Sequence, residues 1–128
     1  MAKSKKTEKR YSSNVQGDYV ARATLRDVKA IPAKMELVLD LVRGMKVDPA
    51  LQVLKNNKQK GARIALTVLK SAVANAKGKE GVDVDRLWIT GAWAQKGRVL
   101  KRFLTRAQGR ATQMLKRYSH VTICLGER

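Results

Sequence analysis

The sequence predicts an α+β fold: three helices packed on a small three-stranded antiparallel sheet, with a long basic β-hairpin protruding from it. Three observations carry that prediction. The first is a pair of runs rich in β-branched and aromatic residues, Leu87-Trp88-Ile89-Thr90 and Val121-Thr122-Ile123-Cys124-Leu125, which read as strands. The second is the interval between them. It holds Lys96, Arg98, Lys101, Arg102, Arg106, Arg110, Lys116 and Arg117, and no Asp or Glu occurs from Leu87 to Gly126. A hairpin connection is about 2–5 residues long, so this interval is an arm in its own right, with its tip predicted at Phe103 between Gly97 and Gly109. The third is the region ahead of it, a near-alternating stretch followed by three apolar stripes of helical period.

In chain order, residues 1–17 are expected to form a basic flexible tail, and 18–128 a single globular domain with 93–116 as the extended arm. From Asp18 to Arg26, Val20, Ala21, Ala23 and Leu25 sit among Arg22, Thr24 and Arg26, which predicts a strand. Pro32 suits the first turn of a helix, Met35, Val38, Leu39 and Val42 form its apolar stripe, and Gly44 follows as the C′ residue. Glu36, Asp40 and Arg43 are expected on the wet side. Asp48 as N-cap and Pro49 at N1 open a short second helix through Ala50, Leu51, Val53 and Leu54. The third and longest helix is predicted from about Lys58 to Lys77. Ala62, Ala65, Leu69, Ala72, Val73 and Ala76 form its main face, Ile64, Leu66 and Val68 widen it, and Gly78 and Gly81 stop it. In the return strand Val121, Ile123 and Leu125 share one face, and Tyr118, His120, Thr122 and Cys124 the other.

Charge sets the class of partner. The 128 residues carry a formal net charge of +18 with a pI near 10.6. Residues 86–128 hold ten basic side chains against one acidic. Such an excess makes sense when a polyanion neutralises it, and nucleic acid is the leading candidate. No apolar run of about 18 residues is present, so membrane insertion is not expected. The first ten residues lack the apolar core of a secretory signal, and the lone Cys124 fits a reducing compartment. The expected setting is the cytosol.

Catalytic and metal readings fail on spacing. His120 and Cys124 lie on one strand face but about 13 Å apart along it, beyond the roughly 3 Å of a nucleophile–base hydrogen bond. One His and one Cys complete no ligand set, and Asp83 and Asp85 read as turn and cap residues. No phosphate-cradling or dinucleotide motif appears. No enzyme, cofactor or metal is expected. Trp88 and Trp93 either stack on bases or cover the sheet where the arm leaves it. Phe103, flanked by Arg102 and Arg106, is a candidate for packing on a base or another protein.

Five blocks carry a resemblance: Leu41-Val-Arg-Gly44, Val68-Leu-Lys-Ser-Ala-Val-Ala-Asn-Ala76, Leu100-Lys-Arg-Phe103, Arg106-Ala-Gln-Gly-Arg-Ala111 and Lys116-Arg-Tyr-Ser-His-Val-Thr122. In that order, across Tyr19 to Arg128, they resemble large-subunit ribosomal protein twenty-two of the bacterial type. The resemblance implies a structural constituent of the large ribosomal subunit that binds large-subunit ribosomal RNA, aids subunit assembly and is not catalytic. Its location would be the ribosome, cytoplasmic or organellar. The RNA-binding residues it implies are Arg22, Lys34, Lys60, Lys96, Arg98, Lys101, Arg102, Arg106, Arg110, Lys116, Arg117 and His120. Leu100, Lys101, Arg102, Phe103, Leu104, Thr105 and Arg106 would form a tip lining the polypeptide exit tunnel, beside the nascent polypeptide. Neighbouring large-subunit ribosomal proteins are the other implied partners. The chain departs from the family pattern at Ile31-Pro32-Ala33-Lys34 (usually Ser-Pro-Arg-Lys), at Arg98 (often Pro) and at Phe103-Leu104-Thr105-Arg106 (commonly Arg-x-Pro-Arg). Two other readings compete: a DNA-bending architectural protein with basic β-arms and an apolar wedge, and an RNA-modifying enzyme, which lacks a catalytic constellation.

Overall fold

The apolar face of the return strand is the surface on which everything else is laid. The computed structural model describes residues 19–127, so the expected basic tail at 1–17 lies outside the described residues. The elements are β1 (Ala21–Val28), α1 (Pro32–Val42), α2 (Val47–Asn56), α3 (Lys60–Lys77), β2 (Leu87–Thr105) and β3 (Ala111–Glu127). Short 3-10 turns lie at Val84–Arg86 and Ala107–Gly109. The sheet order is β1-β3-β2, antiparallel throughout, so β3 is central and the other two are edges. Three helices and three strands are arranged as the sequence predicts.

Val121, Ile123 and Leu125 of β3 are fully buried against the helices, with Ala21 and Ala23 of β1 beside them. On β2, Leu87 and Ile89 face the core, and so do Ala92 and Ala94. An odd–odd, even–even set can share a face only because the register slips between Ile89 and Gly91; one extra residue in a strand inverts the parity of all that follow. The stripe Met35, Val38, Leu39 and Val42 of α1 is buried, as are Ala62, Ala65, Val68, Leu69, Ala72 and Ala76 of α3. The alanines bring α3 close to β1 and β3, and full burial of each large aliphatic side chain contributes roughly 1.5–3 kcal/mol.

Both sheet edges are covered, and this corrects one expectation. Glu36 and Arg43 do not lie on a wet side. Arg43 donates from Nε and Nη2 to the Ala92 carbonyl at 3.1 and 2.5 Å, and Glu36 Oε1 accepts from the Ala94 N–H at 2.7 Å. Glu36 and Arg43 also pair with each other at 3.2 Å, and Asp40 pairs with Arg43 from outside. The exposed side of α1 carries Leu37 and Leu41 instead. Farther back along the same edge of β2, the Gly44 N–H donates to the Ile89 carbonyl and the Ile89 N–H to the Met45 carbonyl. On β1, Asn75 of α3 donates to the Arg22 carbonyl at 3.0 Å, and Lys79 donates to that of Val20. These contacts occupy backbone groups that would otherwise template a further strand along the globule's sheet edges.

Two helix starts also differ from expectation. Asp48 is not the N-cap of α2. The helix begins at Val47, because Lys46 is held extended by a bridge to Trp88 and Val47 is buried. Asp48 falls in the first turn, where its charge favours the positive end of the helix. The third helix begins at Lys60 rather than Lys58, since Asn57 Oδ1 accepts from the Gln59 N–H and holds that turn outside the helix. Gly44 follows the end of α1 with φ +80°, a backbone region that favours glycine.

Candidate nucleic-acid interface

β2 and β3 continue together past the globule as a two-stranded arm. Trp93 and Ala94 are still buried, and exposure begins at Gln95 and Lys96. From Lys101 to Arg117 every residue is exposed. The ladder runs from Val99↔Arg117 to Thr105↔Ala111 and closes in a turn, with the Arg106 N–H donating to the Arg110 carbonyl at 2.6 Å. Gln108 (φ 62°) and Gly109 (φ 74°) supply the left-handed residues of that turn. The predicted tip at Phe103 is therefore corrected: the tip is Ala107-Gln108-Gly109, and Phe103 stands back on β2 opposite Gln113. Leu100 to Arg106 form the last stretch of the outgoing strand and the start of the turn.

The register places the cations in a way that their sequence positions do not reveal. Lys101 faces Leu115, Arg102 faces Met114, Lys116 faces Leu100 and Arg117 faces Val99. Each of these four cations thus has an apolar neighbour directly across the ladder, which supports its aliphatic stem and avoids like-charge pairs. Directly paired residues share a face, so Lys101 and Arg117 lie on one side of the ribbon and Arg102 and Lys116 on the other. Both faces of the arm are cationic. Arg106 and Arg110 add charge at the turn.

The arm leaves the globule through a clasp. The Arg98 guanidinium lies over the Tyr118 ring at 4.9 Å and beside the Asp27 carboxylate at 3.7 Å. Asp27 has φ 54°, and its N–H donates to His120 Nδ1 at 3.1 Å. His120 therefore carries its ring proton on Nε2 and presents that atom as a donor. Gly97 is required here because a Cβ would lie 3.0 Å from the Tyr118 carbonyl oxygen. The Ser119 hydroxyl, between these residues, is buried without a hydrogen-bond partner among the described residues.

From the clasp, the uncovered face of the sheet presents a shallow groove of about 410 Å3. Arg22, Thr24 and Arg26 of β1, His120 and Thr122 of β3, and Trp93 and Gln95 of β2 line it. Thr24 and Thr122 share a hydroxyl–hydroxyl bond at 3.1 Å, and Arg22 lies over the Tyr19 ring at 5.7 Å. Trp93, only 7% exposed, covers the sheet at the base of the arm and leaves little ring for stacking. Cys124 is buried under this face; burial pushes its thiol up, partly offset by Arg22. It is a packed thiol. No group of three or more His, Cys, Asp or Glu that could hold a metal exists among the described residues.

The structure thus joins Arg22 and His120 to the base of the arm and gathers Lys96, Arg98, Lys101, Arg102, Arg106, Arg110, Lys116 and Arg117 along it. Lys34 and Lys60 lie elsewhere, at the starts of α1 and α3. Arg26 joins Arg22 in the groove, beyond the residues expected from sequence; its even spacing from Arg22 on a strand is the signal that marks it. Asp27 carries no such signal, because its role depends on a distant register.

The ribosomal protein L22p/L17e family model matches residues 23–126. The chain is 50% identical over 108 residues to "Large ribosomal subunit protein uL22" of Syntrophotalea carbinolica, covering 84% of this chain and 98% of that protein. It is 49% identical over 108 residues to the protein of the same name in Clostridium novyi, covering 84% and 97%. With its namesake in Magnetococcus marinus the figures are 45% over 105 residues, covering 82% and 93%.

Proposed function

The chain belongs to the ribosomal protein L22p/L17e family, and from that membership we propose that its arm and uncovered sheet face bind large-subunit ribosomal RNA. The protein is a structural, non-catalytic constituent of the large subunit of the cytoplasmic ribosome. The observation that carries the RNA reading is the acid-free arm, whose cations project from both faces. A ribbon charged on one face would lie on a polyanion; one charged on both fits between RNA segments. Arg22, Arg26 and His120 extend the cationic track onto the globule, while Lys34 and Lys60 stand apart from it. By tying separate RNA segments to one globule, the arm aids assembly. Its end, from Leu100 through the turn at Arg110, stands along the exit tunnel beside the nascent polypeptide.

The DNA-bending alternative needs an apolar wedge at the tip, and the turn there is Ala107-Gln108-Gly109. No helix of the described residues is long and apolar enough to cross a membrane. The test is titration of large-subunit RNA fragments and duplex DNA at matched salt. A-form RNA is recognised through shape, phosphate and 2′-hydroxyl contacts, so structured RNA is expected to bind more tightly. Replacing Lys101, Arg102, Lys116 and Arg117 by Gln should weaken RNA binding and flatten the log–log salt slope. The expected change is about 0.7–0.9 for each phosphate that a replaced cation had neutralised. Equal affinity for DNA, or an unchanged slope, would refute the reading.

A further inference from the structure

Opposite the sheet's uncovered face, a groove of about 590 Å3 opens between the first turns of α1 and α3, within the roughly 300–1,000 Å3 of clefts that hold ligands. Met35 and Val38 lie buried beneath it, packed on Gly61, where an added Cβ would lie 3.0 Å from Met35 Sδ and 3.1 Å from Val38 Cγ2. Glycine at that position lets α1 and α3 pack closely, and the apolar surface on offer lies at the lip. Ile31 and Leu37 line it from the α1 side, and Leu37 is 65% exposed. Leu41, one turn further along, is 51% exposed and continues the apolar stripe. Exposed aliphatic groups gathered on one helix face mark a contact surface.

The rim is cationic. Lys29, Lys34 and Lys60 surround the groove, and Lys60 Nζ is held on the Lys29 carbonyl at 3.0 Å. No Asp or Glu is among the described residues lining the groove. The two helices that begin here lack a side-chain N-cap and have no acidic residue in the first turn. Their partial positive ends add to the lysines, and carboxylates are the groups that complement both.

We propose that this groove docks an acidic amphipathic segment of a neighbouring large-subunit protein, its aliphatic side chains on Ile31 and Leu37 and its carboxylates on Lys29, Lys34 and Lys60. Charge complementarity selects this occupant. Residues 1–17 of the chain carry five basic side chains and one acidic, so the chain's own N-terminal segment is repelled. A second copy, also at +18, is disfavoured for the same reason. RNA satisfies the lysines but brings no aliphatic group to Ile31 and Leu37. Apolar anchors within a charged rim are the usual form of helix-in-groove recognition. This contact replaces an RNA role for Lys34 and Lys60 and leaves that of the arm untouched.

The experiment places p-benzoylphenylalanine at position 37 in the full chain, assembles it into large subunits and irradiates them. Leu37 is exposed, so the replacement leaves the core intact. The expected adduct is a protein segment that sequencing shows to be rich in Asp or Glu with interleaved Leu, Ile or Val. Its yield should fall at least about fivefold in a Lys34→Glu, Lys60→Glu background assembled to the same level, as expected when like charge replaces complementary charge. An adduct to RNA, an adduct to a segment poor in acid, a yield unmoved by the charge reversals, or no adduct at all would overturn the proposal. Failure of the arm to bind RNA would be read separately, in the salt titrations, and would not bear on this result.

Discussion

Arg43 shows how one side chain ties a helix to a strand. Its guanidinium serves the Ala92 carbonyl and two carboxylates at once, and Glu36 uses its second oxygen on the Ala94 N–H. Replacing Arg43 by Met keeps the aliphatic stem but strips a partly buried carbonyl and carboxylate of their donor. The expected cost is about 1–3 kcal/mol, read as a lowered midpoint in urea with an unchanged m-value. Ser119→Ala should do the opposite. Its hydroxyl is buried without a partner among the described residues, so removing it is expected to leave the midpoint unchanged or raise it. Cys124 gives a pH signature. The folded thiol keeps its proton to higher pH than the unfolded one, because burial opposes the thiolate. Its contribution to stability is therefore complete below the free-thiol pKa of about 8.5 and is lost as pH rises through the folded value. Cys124→Ser should flatten the alkaline limb of the stability–pH curve.

At the scale of elements, the arm and the globule are separable. The arm's residues from Lys101 to Arg117 bury little in the free protein, and a lone two-stranded ribbon is marginal in water. About ten residues of strand from Lys96 reach on the order of 33 Å, anchored at the Arg98–Tyr118–Asp27 clasp. The free arm is expected to show backbone order parameters well below the roughly 0.85 of rigid structure and to approach that value on RNA. Excising Leu100–Lys116 and joining Val99 to Arg117 through Asn-Gly should leave cooperative unfolding of the globule nearly intact. A large drop in midpoint would mean that the arm stabilises the core. Arg98→Ala removes both the ring contact and the ion pair, so order parameters should fall first at Gly97 and Val99, at the root, rather than at the turn.

The whole molecule carries a net charge of +18. The ion pairs at Arg43 and Arg98 do nothing to reduce that excess, which already counts every acid in the chain. Self-repulsion destabilises the free protein more than it does the RNA-bound one. Screening lengths shrink to about 8 Å at roughly 0.15 M ionic strength, so the free protein's thermal midpoint should rise with added salt while RNA affinity falls. Two opposite salt responses from one protein, read by calorimetry and by titration, would locate the excess charge at the interface rather than in the core.

Sequence alone determined the elements, the apolar faces of α1 and α3, the buried parity of β3 and the acid-free arm. These are properties of local period and composition, and each is complete within a short run of consecutive residues. The departures share a different cause. The tip lies at Gln108 rather than Phe103 because hairpin register is set by pairing summed along the whole ladder, including the slip between Lys96 and Val99. The same pairing decided that Lys101, Arg102, Lys116 and Arg117 would each face an apolar residue. Glu36 and Arg43 leave the wet side expected of them because a helical stripe reports which side chains are apolar, not which backbone groups of a distant strand need partners. Asp27 became part of the clasp through His120, 93 residues away. Register, bulges and edge closure join residues that the chain keeps far apart, and only the folded sheet brings their hydrogen-bonding groups within reach.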